Sequence, residues 1–178
     1  IYFGDSELVH DRSPLARALK RLGLPWFFRR CDAFITIGDN NERYYRHYGV
    51  PDHKLSRGAC PVDIQRFARA REAVIKGERE ALRRDFGLPA SAFVVALSGK
   101  LEPWKRPLDL VEALVRLPDG PRPIYGLFVG DGPLRGELEN HARQRGISSR
   151  IVITGFINQR EKPRMLLMAD GLAASSER

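Results

Sequence analysis

Two lysines close together in the segment SGKLEPWKRP, Lys100 and Lys105, are the first residues whose types and spacing suggest chemistry. They follow Gly99 and precede Pro107, which suits the first turn of a helix. Ammonium groups beside a helix N-terminus, where free N–H groups and the helix dipole favour anions, can clamp a diphosphate. The same lysines also read as solvated surface charges, and the segment alone does not choose. A second segment, FVGDGPLRGELE, sets Gly130 and Gly132 around Asp131. Glycines there permit close backbone approach to a ligand, or simply a strand-to-helix turn. The pattern is not GxGxxG, and no acidic residue about 20 positions on follows another strand, which disfavours a dinucleotide-dependent dehydrogenase. A third segment, ITGFINQRE, carries Gly155, Phe156 and Ile157. Its backbone amides and carbonyls can read the edge of a nucleobase, and Phe156 can equally plug a core.

These segments need elements to position them. FVVALSG (93–99), IYGLFVG (124–130) and RIVITG (150–155) read as strands by length and β-branched content. PLDLVEALVRL (107–117), PLRGELENHARQRG (133–146) and QREKPRMLLMAD (159–170) read as helices, the last despite Pro163, and GLAASS returns to strand. Strands alternating with helices predict an α/β chain with a parallel sheet covered on both faces. In such sheets ligands bind beyond the carboxyl ends of the strands, where all three segments lie. In the first half, a helix opens at Ser13 with Pro14 in its first turn, and Leu15, Ala18, Leu19 and Leu22 recur at three- and four-residue spacing. Its polar face is cationic, because Arg12, Arg17, Lys20, Arg21, Arg29 and Arg30 occur with no acid among them. A strand AFITIG (33–38) follows, then a helix capped by Asp39 or Asn40 and ended by Gly49. The charged, helix-prone stretch 67–86, with little apolar periodicity, reads as the connection between two domains.

The chain is 43% hydrophobic and 29% charged with a net charge of +8, which is a globular composition and not a disordered or fibrous one. No uncharged apolar window of about 18 residues exists to span a bilayer. Two cysteines, Cys31 and Cys60, are too few for a disulfide framework or a zinc site built on cysteine pairs, and they suit a reducing cytosol. The chain begins with Ile1 and stops after GLAASSER, so a piece cut at both ends is expected.

In combination and in order, SGKLEPWKRPLDLVEAL, FVGDGPLRGELE and VITGFINQREKPRMLLMADGLAASSE resemble the C-terminal nucleotide-binding domain of a family 4 glycosyltransferase of the GT-B fold. DAFITIGDNNERYYRHYGVPDHKL followed by CPVDIQRF resembles the last part of that family's N-terminal acceptor domain and its interdomain crossing. The resemblance runs from Asp5 to Arg178. It implies two Rossmann-like parallel-sheet domains, both incomplete: residues 1–67 from the acceptor domain, 68–91 as interdomain connection, and 92–178 from the nucleotide-sugar-binding domain. It also implies transfer of a hexose-type sugar from a nucleotide diphosphate sugar to a glycan or lipid-linked acceptor, with retention at the anomeric carbon and no metal.

By the same resemblance Lys100 and Lys105 hold the donor diphosphate, and Gly99, Gly130, Gly132, Gly155, Phe156 and Ile157 form the donor loops. The family more often has Arg at the first position, so Lys100 keeps the charge without the bidentate contact. The family's first donor-sugar glutamate falls just beyond Arg178 or on Glu177, and its second partner glutamate lies outside the chain. Asp5 and Ser6 are candidates for the acceptor side, with a turn or cap role equally open to Asp5. A cytoplasmic location is expected, with peripheral contact to an anionic membrane and no nucleic-acid partner. Two other readings remain: an epimerase or phosphorylase of the same fold, and a basic module for anionic membrane or nucleic acid.

Overall fold

The apolar runs become strands and the periodic segments between them become helices, in two units, Ile1–Val62 and Asp63–Arg178. The computed structural model describes residues 1–8, 13–58, 63–75, 77–118 and 120–176, the side chains of 73–75 excepted.

The first unit runs β1 (Tyr2–Phe3), α1 (Pro14–Phe28), β2 (Phe34–Thr36), α2 (Asp39–His47) and β3 (Leu55–Arg57). Its strands form a parallel sheet in the order β1-β2-β3. The α1 start is the expected one: Ser13 Oγ accepts from the Ala16 N–H at 3.3 Å, with Pro14 in the first turn. The expected cap of α2 is not formed, because Gly38 occupies the cap position and gives no side-chain bond. Asp39 is already helical and pairs with Arg57 at 2.5 Å, and Asn40 accepts from Arg43. Strand β3 lies where the sequence suggested no element. The core is aromatic, built from Phe28, Phe34, Tyr44, Tyr45, Tyr48 and Val50, with Phe28 and Phe34 edge to face at 5.2 Å. Helix α1 reaches it through Leu24 and Phe28, and its Leu15, Leu19, Leu22 and Trp26 stripe faces outward, each residue more than 60% exposed.

The second unit runs α3 (Ile64–Ile75), α4 (Glu78–Asp85), β4 (Phe93–Ser98), α5 (Pro107–Arg116), β5 (Ile124–Val129), α6 (Arg135–Gln144), β6 (Ile151–Ile153), α7 (Lys162–Leu166) and β7 (Gly171–Leu172). All four strands are parallel, in the order β6-β5-β4-β7. Alternate residues of β4 and β5 face opposite sides, as the pleat requires. Val94, Ala96, Leu127 and Val129 pack with Leu82, Leu88, Met165 and Met168 on one face. Leu97 and Phe128 pack with Leu110, Val111, Leu114 and Leu138 on the other. The helix-prone stretch 68–91, expected as a connection, carries most of α3 and all of α4, and its Leu82 and Leu88 are core residues of the second unit. Helix α7 is shorter than the periodicity suggested because Pro163, lacking an N–H, sits in its first turn.

At the amino ends of β4 and β7 the charges are closed. Arg83 is 3% exposed and donates to the carbonyls of Met168, Ala90 and Ala92. It also pairs with Asp170 at 2.8 Å, and Arg79 pairs with the same carboxylate at 2.5 Å. The Val94 N–H donates to Asp170 at 2.8 Å. Burial alone raises the Asp170 pKa, but the Val94 N–H and the two guanidiniums outweigh it and lower it to about 2. Among the described residues no helix is long and apolar enough to cross a membrane.

Candidate functional site

Strand order reverses at β4: β5 and β6 lie on one side and β7 on the other. A crevice for ligands opens at such a point, between the loops that follow β4 and β7. The two loops touch, because Ser175 Oγ donates to the carbonyl of Lys105 at 2.9 Å and to that of Arg106 at 3.2 Å.

The loop after β4 is anchored from below. Leu101 is fully buried, its N–H donates to the Asp131 carbonyl at 2.9 Å, and its own carbonyl accepts from Leu134 at 3.1 Å. The Gly99 N–H donates to the Val129 carbonyl at 3.1 Å. This close approach is what the glycines of the next loop serve. A Cβ on Gly130, whose φ is 150°, would stand 2.0 Å from the Gly99 oxygen, and one on Gly132 would stand 2.5 Å from the Leu101 oxygen. The glycines leave room for the neighbouring backbone of Gly99 and Leu101. The loop after β6 joins the same body, since the Gly130 N–H donates to Thr154 Oγ1 at 3.2 Å. Gly155 is buried with φ 74°. Ile157 packs on the core, whereas Phe156 is 83% exposed, so the core-plug reading of Phe156 does not hold.

The two lysines converge on Glu102 and Trp104 but differ in state. Lys100 is 67% exposed, with its ammonium 2.5 Å from Glu102. Trp104 Nε1 donates to the other oxygen of Glu102 at 2.5 Å. The Lys100 contact first, and Trp104 second, hold the Glu102 carboxyl below its usual range. Lys105 is half-buried, its chain passes over Gly99, and its ammonium lies 4.2 Å from the centroid of the Trp104 ring. Among the described residues it has no acidic partner within ion-pair distance. It stands just before α5, whose first turn has no side-chain cap. Among the described residues the loop thus presents one cation already matched and one without an acidic partner, at the positive end of a helix.

In the first unit, Asp5 is exposed and Ser6 half-buried after β1. Their loop is fixed by Asn41, 1% exposed, which donates to the carbonyls of Gly4 at 3.0 Å and Ser6 at 2.9 Å, and by Tyr45 Oη, which donates to Gly4 at 2.9 Å. The Asp5 and Ser6 side chains remain without a hydrogen-bond partner among the described residues. Glu177 lies outside the described residues. Sequence reasoning missed Thr154, Ser175 and Asn41, whose contacts join distant segments. Glu102, two positions from both Lys100 and Trp104, was a local signal that could have been read.

Residues 78–178 match the family described as Glycosyl transferases group 1. The chain is 33% identical over 178 residues to the 2-deoxystreptamine glucosyltransferase of Streptomyces kanamyceticus, covering 99% of this chain and 44% of that protein. It is 29% identical over 125 residues to the UDP-Gal:alpha-D-GlcNAc-diphosphoundecaprenol alpha-1,3-galactosyltransferase of Escherichia coli, covering 68% of this chain and 30% of that protein. The fold is similar to Anabaena HepE solved in complex with UDP, with a TM-score of 0.74 at 21% identity over 97% of this chain and 45% of that one. The chain thus spans less than half the length of these relatives.

Proposed function

Because the chain belongs to the glycosyl transferases of group 1, we propose that it serves transfer of a hexose-type sugar from a nucleoside diphosphate sugar to a glycan or lipid-linked acceptor. The anomeric configuration is retained in this reading, and no resident metal takes part. The observation that carries it is Lys105: a half-buried cation without an acidic partner among the described residues, just before α5, where the strand order reverses. The donor diphosphate lies there in this reading, with Lys105 on its oxygens. Lys100 joins when phosphate replaces Glu102. As the sugar–oxygen bond breaks, the leaving diphosphate gains charge, and cations fixed beforehand lower that barrier. Phe156 and the backbone of Gly155 and Ile157 are assigned to the base, and Asp5 and Ser6 to the acceptor.

Calorimetry with UDP at low salt tests the donor site. Lys105→Ala is expected to weaken binding by about 1.5 to 3 kcal/mol, the range for one charge-assisted phosphate contact. Unchanged affinity would remove the role. Retention is read from the anomeric configuration of the product, and an inverted product defeats it.

We also propose cytoplasmic residence with peripheral contact to an anionic membrane, supported by the outward Leu15, Leu19, Leu22 and Trp26 stripe beside the arginines of α1. Co-sedimentation with anionic but not neutral vesicles is expected, and its absence would sink this part.

A further inference from the structure

Helix α1 lends Arg17 and Arg21, both exposed, and the half-buried Lys20 to the wall of a cavity that has no part in the sugar-transfer reading. The cavity, about 80 Å³, is lined on the α1 side by Arg17, Lys20 and Arg21. Its other wall is Tyr44, His47 and Tyr48, three rings in contact, with Tyr44 to Tyr48 and His47 to Tyr48 each 4.9 Å between centroids. Lys20 is half-buried, its ammonium 5.6 Å from the Tyr44 centroid. Elsewhere guanidiniums close on acids, as Arg46 does on Asp52 and Arg57 on Glu42. Among the described residues, none of Arg17, Lys20 and Arg21 makes an ion pair.

Arg17 lies three and four positions before Lys20 and Arg21, a spacing at which like charges destabilise a helix. A bound anion relieves that repulsion. One carboxylate, Glu7, lies on the rim against the three cations, leaving an excess near the charge of a phosphate monoester at neutral pH. The volume exceeds the ~30 Å³ share of one water but admits only a compact group. Guanidinium forks suit its tetrahedral oxygens. We propose that this cavity binds a phosphate monoester, free or as a lipid headgroup.

The test is an NMR titration of the 178-residue chain with inorganic phosphate and with glycerol phosphate. Resonances of Arg17, Lys20 and His47 are expected to shift. Lys20→Gln with Arg21→Gln should weaken the binding by about tenfold or more, and Lys105→Ala should leave it unchanged. Arg21→Gln alone alters an exposed side chain and keeps the experiment readable if the double variant folds poorly. Vesicles of phosphatidic acid against phosphatidylcholine separate the sources. Binding to phosphatidic acid that soluble glycerol phosphate displaces assigns the headgroup, binding of glycerol phosphate with no vesicle binding assigns the free monoester, and vesicle binding that glycerol phosphate leaves untouched counts against the cavity. Shifts confined to the Lys100 and Lys105 loop, or no binding in either arm, overturn the proposal. Because the probes and residues differ from those of the UDP experiment, either assignment can fail while the other stands.

Discussion

The two ends of the four-stranded sheet use the same kinds of charge to opposite effect. At the amino end Arg79, Arg83, Asp170 and the Val94 amide satisfy one another, with Arg83 buried. At the carboxyl end Lys100 is matched only by an exposed contact to Glu102, and Lys105 rests on a ring. A closed network holds elements together, whereas an open cation awaits an anion. Charge content alone does not distinguish the two ends.

The comparison breaks most visibly at Asp170. Asp170→Ala leaves the buried Arg83 without its counter-charge, and a loss of about 3 to 5 kcal/mol is expected in urea unfolding. A loss below about 1 kcal/mol, the value of an exposed pair, would mean the amino end is no more closed than the other. The same carboxylate sets a pH dependence. Its folded pKa, about 2, lies below the ordinary 3.8, so its contribution is complete above pH 4 and fades as the pH falls through 2. About 2 kcal/mol is at stake, measured as a falling denaturation midpoint between pH 4 and 2 that Asp170→Asn lacks. The smallest effect sharpens the other end. Glu102→Gln frees Lys100, so UDP binding should tighten by less than the Lys105→Ala loss, and weaker binding would show that Glu102 positions Lys100 rather than competing for it.

Much of the second sheet was legible because β4 and β5, covered on both faces, must be apolar throughout, as FVVALS and IYGLFV are. β7 pairs only with β4, so Gly171 and Leu172 suffice where a longer strand was expected. The segment 68–91 hid its packing because α4 puts few leucines on the core and buries Arg83 instead. At the site, the lysines stood out by type and spacing, but not their inequality, which depends on where Glu102 and Trp104 turn. Thr154 and Ser175 were illegible for a plainer reason: a hydroxyl's partner 24 or 70 positions away leaves no local trace.

The contact of Gly130 and Gly132 with the backbone of Gly99 and Leu101 has a consequence for how donor preference can change. The loops after β4, β5 and β6 share hydrogen bonds involving the backbone, and the β5 loop has no space for a methyl group at Gly130 or Gly132, so an insertion in one disturbs all three. Phe156 is an exposed tip of that body, and the segment around Ser175 meets it through side-chain hydrogen bonds to Lys105 and Arg106. Substitution there can reshape what the crevice accepts while the phosphate-facing loops keep their form, which makes those positions the place to begin engineering a different donor.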